Sequence, residues 1–347
     1  MSPAIKIRPG DPEADRSAAI ALLSRYVNPA YDHRRFDWVY RDNPAGPGRL
    51  WMALDGSTGD PIGTAGALPR WMCIDGAPFV GWVLADFCVS DTHRSLGPAL
   101  QLQRTCLEEL AADGVPLWYD FPGRRMEAVY RRLGVPPRVH LRRLARPLRT
   151  YRKLRQRLGS PLLARAASLV ADLALAWSTR PPRRTGPLVV APHPGRCGEE
   201  FTALAGRASP QYGICVWRSA EYLNWRYCDS PVQPHELVTA RLGDGKLIAY
   251  AAIAWDADVP TLVDLFGEAA PLAALVRSTI ALLRGRGAAS VNIWVRDSHP
   301  WVALLRGLGF RPRETAPVVV GTSPGSPWSS RVTDGACWFL MHGDRDT

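Results

Sequence analysis

The sequence has no paired cysteines. Cys73, Cys88, Cys106, Cys197, Cys215, Cys228 and Cys337 are scattered, odd in number and never spaced CxxC, which excludes a disulfide framework or a zinc site of the usual spacing. The seven histidines form no HxH or HxxxH pair, so no metal is expected. No run of twenty uncharged apolar residues occurs, so a standard membrane-spanning helix is excluded. Met1 to Gly10 lacks an apolar stretch of signal-peptide length, and the expectation is a cytoplasmic protein. Lysine is nearly missing: Lys6, Lys153 and Lys246 are the only three.

What is present suits a globular protein. The chain has 347 residues, 46% of them hydrophobic, which is long for one core and fits two domains. The net charge of +11 is concentrated: Arg138 to Arg184 holds thirteen Arg or Lys against one acid, Asp172, and the remainder is close to neutral.

Two internal echoes suggest duplication. Phe36-Asp37-Trp38-Val39-Tyr40-Arg41-Asp42-Asn43-Pro44 returns as Leu223-Asn224-Trp225-Arg226-Tyr227-Cys228-Asp229-Ser230-Pro231, with Trp, Tyr, Asp and Pro in the same places. Val129-Tyr130-Arg131-Arg132-Leu133-Gly134 returns as Leu304-Leu305-Arg306-Gly307-Leu308-Gly309. The paired aromatics Trp38, Tyr40, Trp225 and Tyr227 are expected to cap helices and bury their rings.

Periodicity predicts a strand over Ala4–Arg8, a helix over Asp15–Tyr26, and strands near Leu50–Leu54, Ile62–Pro69 and Trp82–Val89. A helix over Pro98–Ala112 stripes Ala99, Leu102, Cys106 and Leu110. The strand Val115–Tyr119, the helix Arg124–Leu133 closed by Gly134, and a strand near Val139 follow. The second half predicts strands at Glu236–Arg241, Leu247–Trp255, Thr261–Phe266 and Val291–Val295. Its helices are Pro271–Arg284 and Pro300–Leu308, with late strands near Val318 and Phe339. The fold class is α+β, a mostly antiparallel mixed sheet with helices on both faces. Boundaries are placed at 1–146, a basic helical connector at 147–185, and 186–347.

The chemistry concentrates after the first half's central strand, at Val89-Ser90-Asp91-Thr92-His93-Arg94-Ser95-Leu96-Gly97-Pro98-Ala99. A buried strand feeds a short loop with a bare Gly97, and Pro98 suits a helix start. Free N–H groups and the positive helix end would converge on one point, which binds phosphate. Arg94 adds a formal charge, and His93 reads as a loop surface residue.

Here the chain resembles the GNAT acetyltransferase superfamily, whose pyrophosphate signature Arg/Gln-x-x-Gly-x-Gly/Ala is matched by Arg94 to Ala99. Phe121 to Gly134 resembles the family's next motif, with Gly123 in place of Asn and Val135 in place of Phe, while Tyr130 and Gly134 hold. The resemblance spans roughly residues 4–146. It implies acetyl-CoA or another acyl-CoA in a V-shaped gap between the fourth and fifth strands. The pyrophosphate would lie along Arg94, Ser95, Leu96, Gly97, Pro98 and Ala99, held by the backbone N–H groups of this stretch (Pro98 itself has none), and the pantetheine along Cys88, Val89 and Ser90. Tyr130 would protonate the leaving thiolate, or else be a hydrogen-bonded core tyrosine. Asp86 and Asp120 are candidate bases. Strand alternation would put Asp86 on one face with Leu84 and Cys88, pointing inward with a raised pKa, unless backbone donors satisfy it.

The second half lacks these features: Glu268 stands at the helix start, and Leu305 takes the place of Tyr130. It is read as a degenerate GNAT-like domain shaping the acceptor pocket. Tandem relatives with Trp-x-Tyr-x-x-x-Pro segments look like acyltransferases of polysaccharide or cell-surface building, which implies a small-molecule or glycan-type acceptor. The expected function is acyl transfer from acyl-CoA to an amine or hydroxyl. The alternatives are a Fem-type aminoacyl-tRNA-dependent transferase and a non-catalytic binding module.

In the basic segment, Arg142 to Arg157 carries helix-compatible apolar positions interrupted by Pro147, and Leu162 to Trp177 is an amphipathic helix too short to span. Residues 141–178 are an inter-domain brace or a contact with anionic membrane. RNA is disfavoured, because no aromatic-interleaved motif accompanies the charge.

Overall fold

The structure is a computed structural model that describes residues 5–93, 96–177 and 188–345. Its first half opens with β1 (Ile5–Gly10), α1 (Arg16–Tyr26) and α2 (His33–Tyr40), then an antiparallel run of β2 (Arg49–Asp55), β3 (Pro61–Ile74) and β4 (Ala77–Val89). After α3 (Leu96–Ala112) come β5 (Trp118–Asp120), parallel to β4, then α4 (Arg124–Arg132) and β6 (Val139–Pro147). Helices α5 (Tyr151–Leu158) and α6 (Pro161–Trp177) form a hairpin. The second half starts with β7 (Val189–His193), α7 (Glu199–Ala208), β8 (Ile214–Val216) and α8 (Ala220–Leu223), which continues as a π-turn through Cys228. Next are β9 (His235–Arg241), β10 (Leu247–Ala254), β11 (Thr261–Gly267), α9 (Leu272–Gly285), β12 (Ser290–Arg296), α10 (Trp301–Gly307), β13 (Arg311–Gly321) and α11 (Ser329–Thr333).

All described strands belong to one sheet, ordered β1-β2-β3-β4-β5-β13-β6-β12-β11-β10-β9-β7, with β8 paired off the path to β3. From either edge the order reads as three antiparallel ladders, then one parallel ladder. At the centre the halves exchange their last strands. β13 lies against β5 of the first half, β6 lies against β12 of the second, and the two pair with each other antiparallel. Helices α1 and α2 cover one face of the first half and α3 and α4 the other, so the sheet is buried on both sides.

Two expectations are corrected. Residues 142–147 do not begin a helix: they are β6, paired to both β12 and β13, because a mid-sheet position suits the alternating Leu141, Arg143 and Ala145, and Pro147 closes the strand. Phe339 is not in a strand. The chain there makes only an isolated bridge, Ile214 to Trp338, and packs as an apolar plug with Phe339, Leu340 and Met341 buried.

That plug is pinned by charge. Arg218, wholly buried, meets Asp264 at 3.0 Å and Asp344 at 2.9 Å, and the Tyr250 hydroxyl donates to Asp264 at 2.6 Å. Burial opposes the Arg218 charge, but the two carboxylates outweigh it and raise its pKa. Burial likewise raises Asp344.

Candidate active site

β4 and β5 pair only at Trp82↔Trp118 and Val83↔Tyr119, and beyond these positions the strands part. The cause lies in β4 itself. Its register against β3 slips between Ala85 and Cys88, and Asp86 takes φ +51°, a left-handed conformation that costs most side chains but that Asp tolerates. The bulge overturns the expected alternation. Leu84 and Val89 face the apolar cluster under α3, while Ala85 and Cys88 face the opposite core, so Leu84 and Cys88 do not share a face. Asp86 is buried and accepts the Tyr31 hydroxyl at 2.7 Å, from the segment that joins α1 to α2. Tyr31 is in turn covered by the Arg35 guanidinium, 4.6 Å from its ring centre.

Beside the bulge lies a cavity of about 470 Å³ lined by Tyr26, Phe87, Cys88, Val89, Ala99 and Gly123 with the α4 residues Arg124, Arg125, Met126 and Val129, whereas Asp86, Asp120 and Tyr130 do not line it. Its walls are mostly apolar, but Arg124 and Arg125 stand at the start of α4. Cations are unfavourable at that positive helix end unless an anion lies between them. A larger open groove of about 910 Å³ crosses the Trp38–Trp225 contact. It shares no lining residue with the first, and it is the smaller cavity that holds Cys88, Val89 and Ala99.

Asp120 and Tyr130 come together on the α3–α4 side. The Tyr130 hydroxyl is buried, donates to Asp120 at 2.7 Å and accepts from Gln103 Nε2 at 3.1 Å, and its ring stacks on Trp118 at 6.1 Å. Asp86 lies on the opposite face, buried with Tyr31. Gln103 and Tyr31 had no sequence signal, because each acts through one hydrogen bond made far along the chain.

The loop after β4 is built around His93. Nε2–H donates to Asp55 at 2.9 Å, which leaves Nδ1 to accept from Ser90 at 3.1 Å or Thr92 at 3.0 Å. The Ser57 hydroxyl, with the Ser57 and Thr58 amides and His93, holds Asp55 well below the usual carboxylate range. His93 is therefore a tie between the β2–β3 turn and this loop rather than a plain surface residue. Arg94 and Ser95 lie outside the described residues. Leu96, Gly97, Pro98 and Ala99 form the first turn of α3, and a Cβ added to Gly97 would meet no atom within 4 Å. That turn is open to a ligand.

The matching turn of the second half is closed. Gly267, at φ +145°, has Ala249 Cα 2.4 Å from where a Cβ would stand, and its carbonyl accepts from Gln211 at 2.9 Å and Tyr212 at 2.6 Å. Tyr212, Phe266, Trp301 and Phe339 pack there ring against ring, and Glu268 faces Arg207 at 3.5 Å.

This sheet, with a bulged strand parting from its parallel neighbour, is the GNAT fold, and the chain's structural neighbours are GNAT-type N-acyltransferases. A GCN5-related N-acetyltransferase from Anabaena variabilis matches with a TM-score of 0.67 at 13% identity, over 92% of this chain and 73% of that one. A probable N-acyltransferase of Enterococcus faecalis gives 0.66 at 12%, over 92% and 72%. The N-myristoyltransferase of Saccharomyces cerevisiae, solved with myristoyl-CoA, gives 0.55 at 13%, over 91% and 82%. No known protein family and no curated protein matches the sequence itself.

Proposed function

We propose that the protein is an acyl-CoA-dependent N-acyltransferase whose first half binds the thioester and whose degenerate second half shapes the acceptor side. The observation that carries this reading is the cavity beside the β4 bulge, which Cys88 and Val89 of β4 and Ala99 of the first turn of α3 line together. The amides of Leu96, Gly97 and Ala99 in the first turn of α3 would hold the pyrophosphate. Arg124 and Arg125 would flank the anion, and Cys88, Val89 and Ser90 would face the pantetheine.

In this reading Asp86 takes a proton from the acceptor amine, and the amine nitrogen attacks the thioester carbon. The C–N bond forms, the C–S bond breaks, and the thiolate takes a proton from Tyr130, whose hydrogen bond to Asp120 must be exchanged at that moment. The acceptor is a small molecule or a glycan-type amine, with a hydroxyl as the variant. The domain boundaries at 1–146, 147–185 and 186–347 and a cytoplasmic location belong to the same proposal.

Calorimetric titration with acetyl-CoA and with longer acyl-CoAs tests it. The expected result is binding that Gly97→Glu abolishes without loss of folding, since the new side chain projects into open space and places a negative charge where the diphosphate would sit. Unchanged binding in that variant overturns the loop assignment. Salt-dependent tRNA binding with no CoA binding would favour the Fem-type reading instead.

A further inference from the structure

Helix α6 is amphipathic the wrong way round for a packed helix. At about 100° per residue, Leu162, Leu163, Leu169, Val170 and Leu173 fall within an arc of about 120°, and that arc faces outward: they are 78%, 62%, 67%, 71% and 63% exposed. On the inward side, the buried residues among those whose side chains are described are small, Ala164 and Ser168. With Leu158 at the end of α5, this hairpin holds most of the large exposed apolar side chains among the described residues. Leaving so much apolar surface in water is unfavourable, and a contiguous patch of this kind marks a contact surface.

The charge around the patch selects the partner. Of the basic residues counted between 138 and 184, those on β6 are already taken: Arg142 pairs with Asp297, Arg143 with Glu314, and Arg146 is buried against the Leu308 carbonyl. Arg155, Arg157 and Arg165 on the hairpin are exposed beside the apolar arc. The segment's one acid, Asp172, is turned away: the Thr150 amide and hydroxyl donate to its carboxylate at 2.8 and 2.9 Å. The rim is therefore cationic with no exposed carboxylate to answer it. A second copy meeting this face about a two-fold axis would bring arginines against arginines. An anionic bilayer supplies both an apolar interior and negative headgroups.

We propose that the α5–α6 hairpin docks on an anionic lipid bilayer, with α6 lying in the interface, its outward leucines and valine below the headgroups and Arg155, Arg157 and Arg165 among them. No described helix is long and apolar enough to cross a membrane, and α6 has the length of an in-plane element. The contact rests on the exposed face alone and stands or falls separately from the acyl-CoA assignment.

Flotation of the full chain with vesicles tests it, using phosphatidylcholine alone and phosphatidylcholine with about a third phosphatidylglycerol. The protein is expected to float with the anionic vesicles and not with the neutral ones, and 0.5 M salt is expected to weaken binding by about tenfold or more. The exposed pair Leu169→Glu/Val170→Glu is expected to lower binding at least tenfold, and Arg155→Glu/Arg157→Glu likewise, each with an unchanged thermal melt. Absence of flotation by the folded wild type overturns the proposal. So does equal flotation with neutral vesicles, or a dimer that Leu169→Glu/Val170→Glu converts to monomer.

Discussion

Asp86 combines two properties that a single residue seldom carries together. Its backbone is left-handed, at the bulge just beyond the last β4–β5 pair, and its carboxylate is buried against Tyr31. Strain held at such a point suggests that the chemistry needs the residue there. Asn shares the tolerance for a left-handed backbone and keeps an oxygen to accept from Tyr31, so Asp86→Asn separates charge from shape. The expected outcome is a fall in kcat of about 10²-fold or more with a melting temperature close to wild type. Asp86→Ala should also lose about 1 kcal/mol of stability to the backbone conformation. A kcat unchanged in Asp86→Asn would leave the residue only its structural role. The sequence showed Asp86, Asp120 and Tyr130 as candidates because strand and motif positions are local properties. It did not show which face Asp86 takes, since one bulged residue inverts every side chain beyond it.

At the scale of elements, the repeated Trp segments meet each other. Trp38 on α2 and Trp225 in the π-turn after α8 stack at 4.7 Å, and each indole N–H donates to the other's backbone carbonyl at 2.9 Å. Such reciprocity is what two equivalent segments produce when they face one another across a local two-fold axis. Replacing either ring by Phe leaves one buried carbonyl without its donor and should cost about 1–3 kcal/mol. Because the two bonds and the stack are shared, the double variant should cost less than the sum of the singles by more than about 0.5 kcal/mol. Urea denaturation of the four proteins measures this, and strict additivity would contradict the mutual contact. The repetition itself was legible in the residues and so was the burial of the rings. That the copies touch was not, because likeness of two segments carries no information about their distance.

For the whole molecule, the exchange of β6 and β13 decides what can fold alone. Most sheet strands and the helices α1, α3, α4, α9 and α10 were legible from periodicity, whereas α2, β7, α7, β8 and α8 were not. The exchange was not, because β6 and β13 are both strands able to lie beside a short parallel neighbour, and nothing in their own composition says which half they complete. With the exchange, the slot next to β5 is filled by residues 319 to 321, from far along the chain, while β6 spends its pairing on β12 and β13. A fragment ending at Pro147 therefore has an empty slot beside β5 and a strand with no partner. Two such fragments can cure both faults at once, each lending its β6 to the other and reproducing the central antiparallel pair. Residues 1–147 expressed alone are expected to elute as a dimer with native-like β content, and a substitution of Leu144, wholly buried in β6, by Asp should turn that dimer into unfolded monomer. A stable folded monomer of 1–147 would mean instead that β6 can return to its own β5, and that the exchange is a consequence of the connector between the halves rather than a condition of the fold.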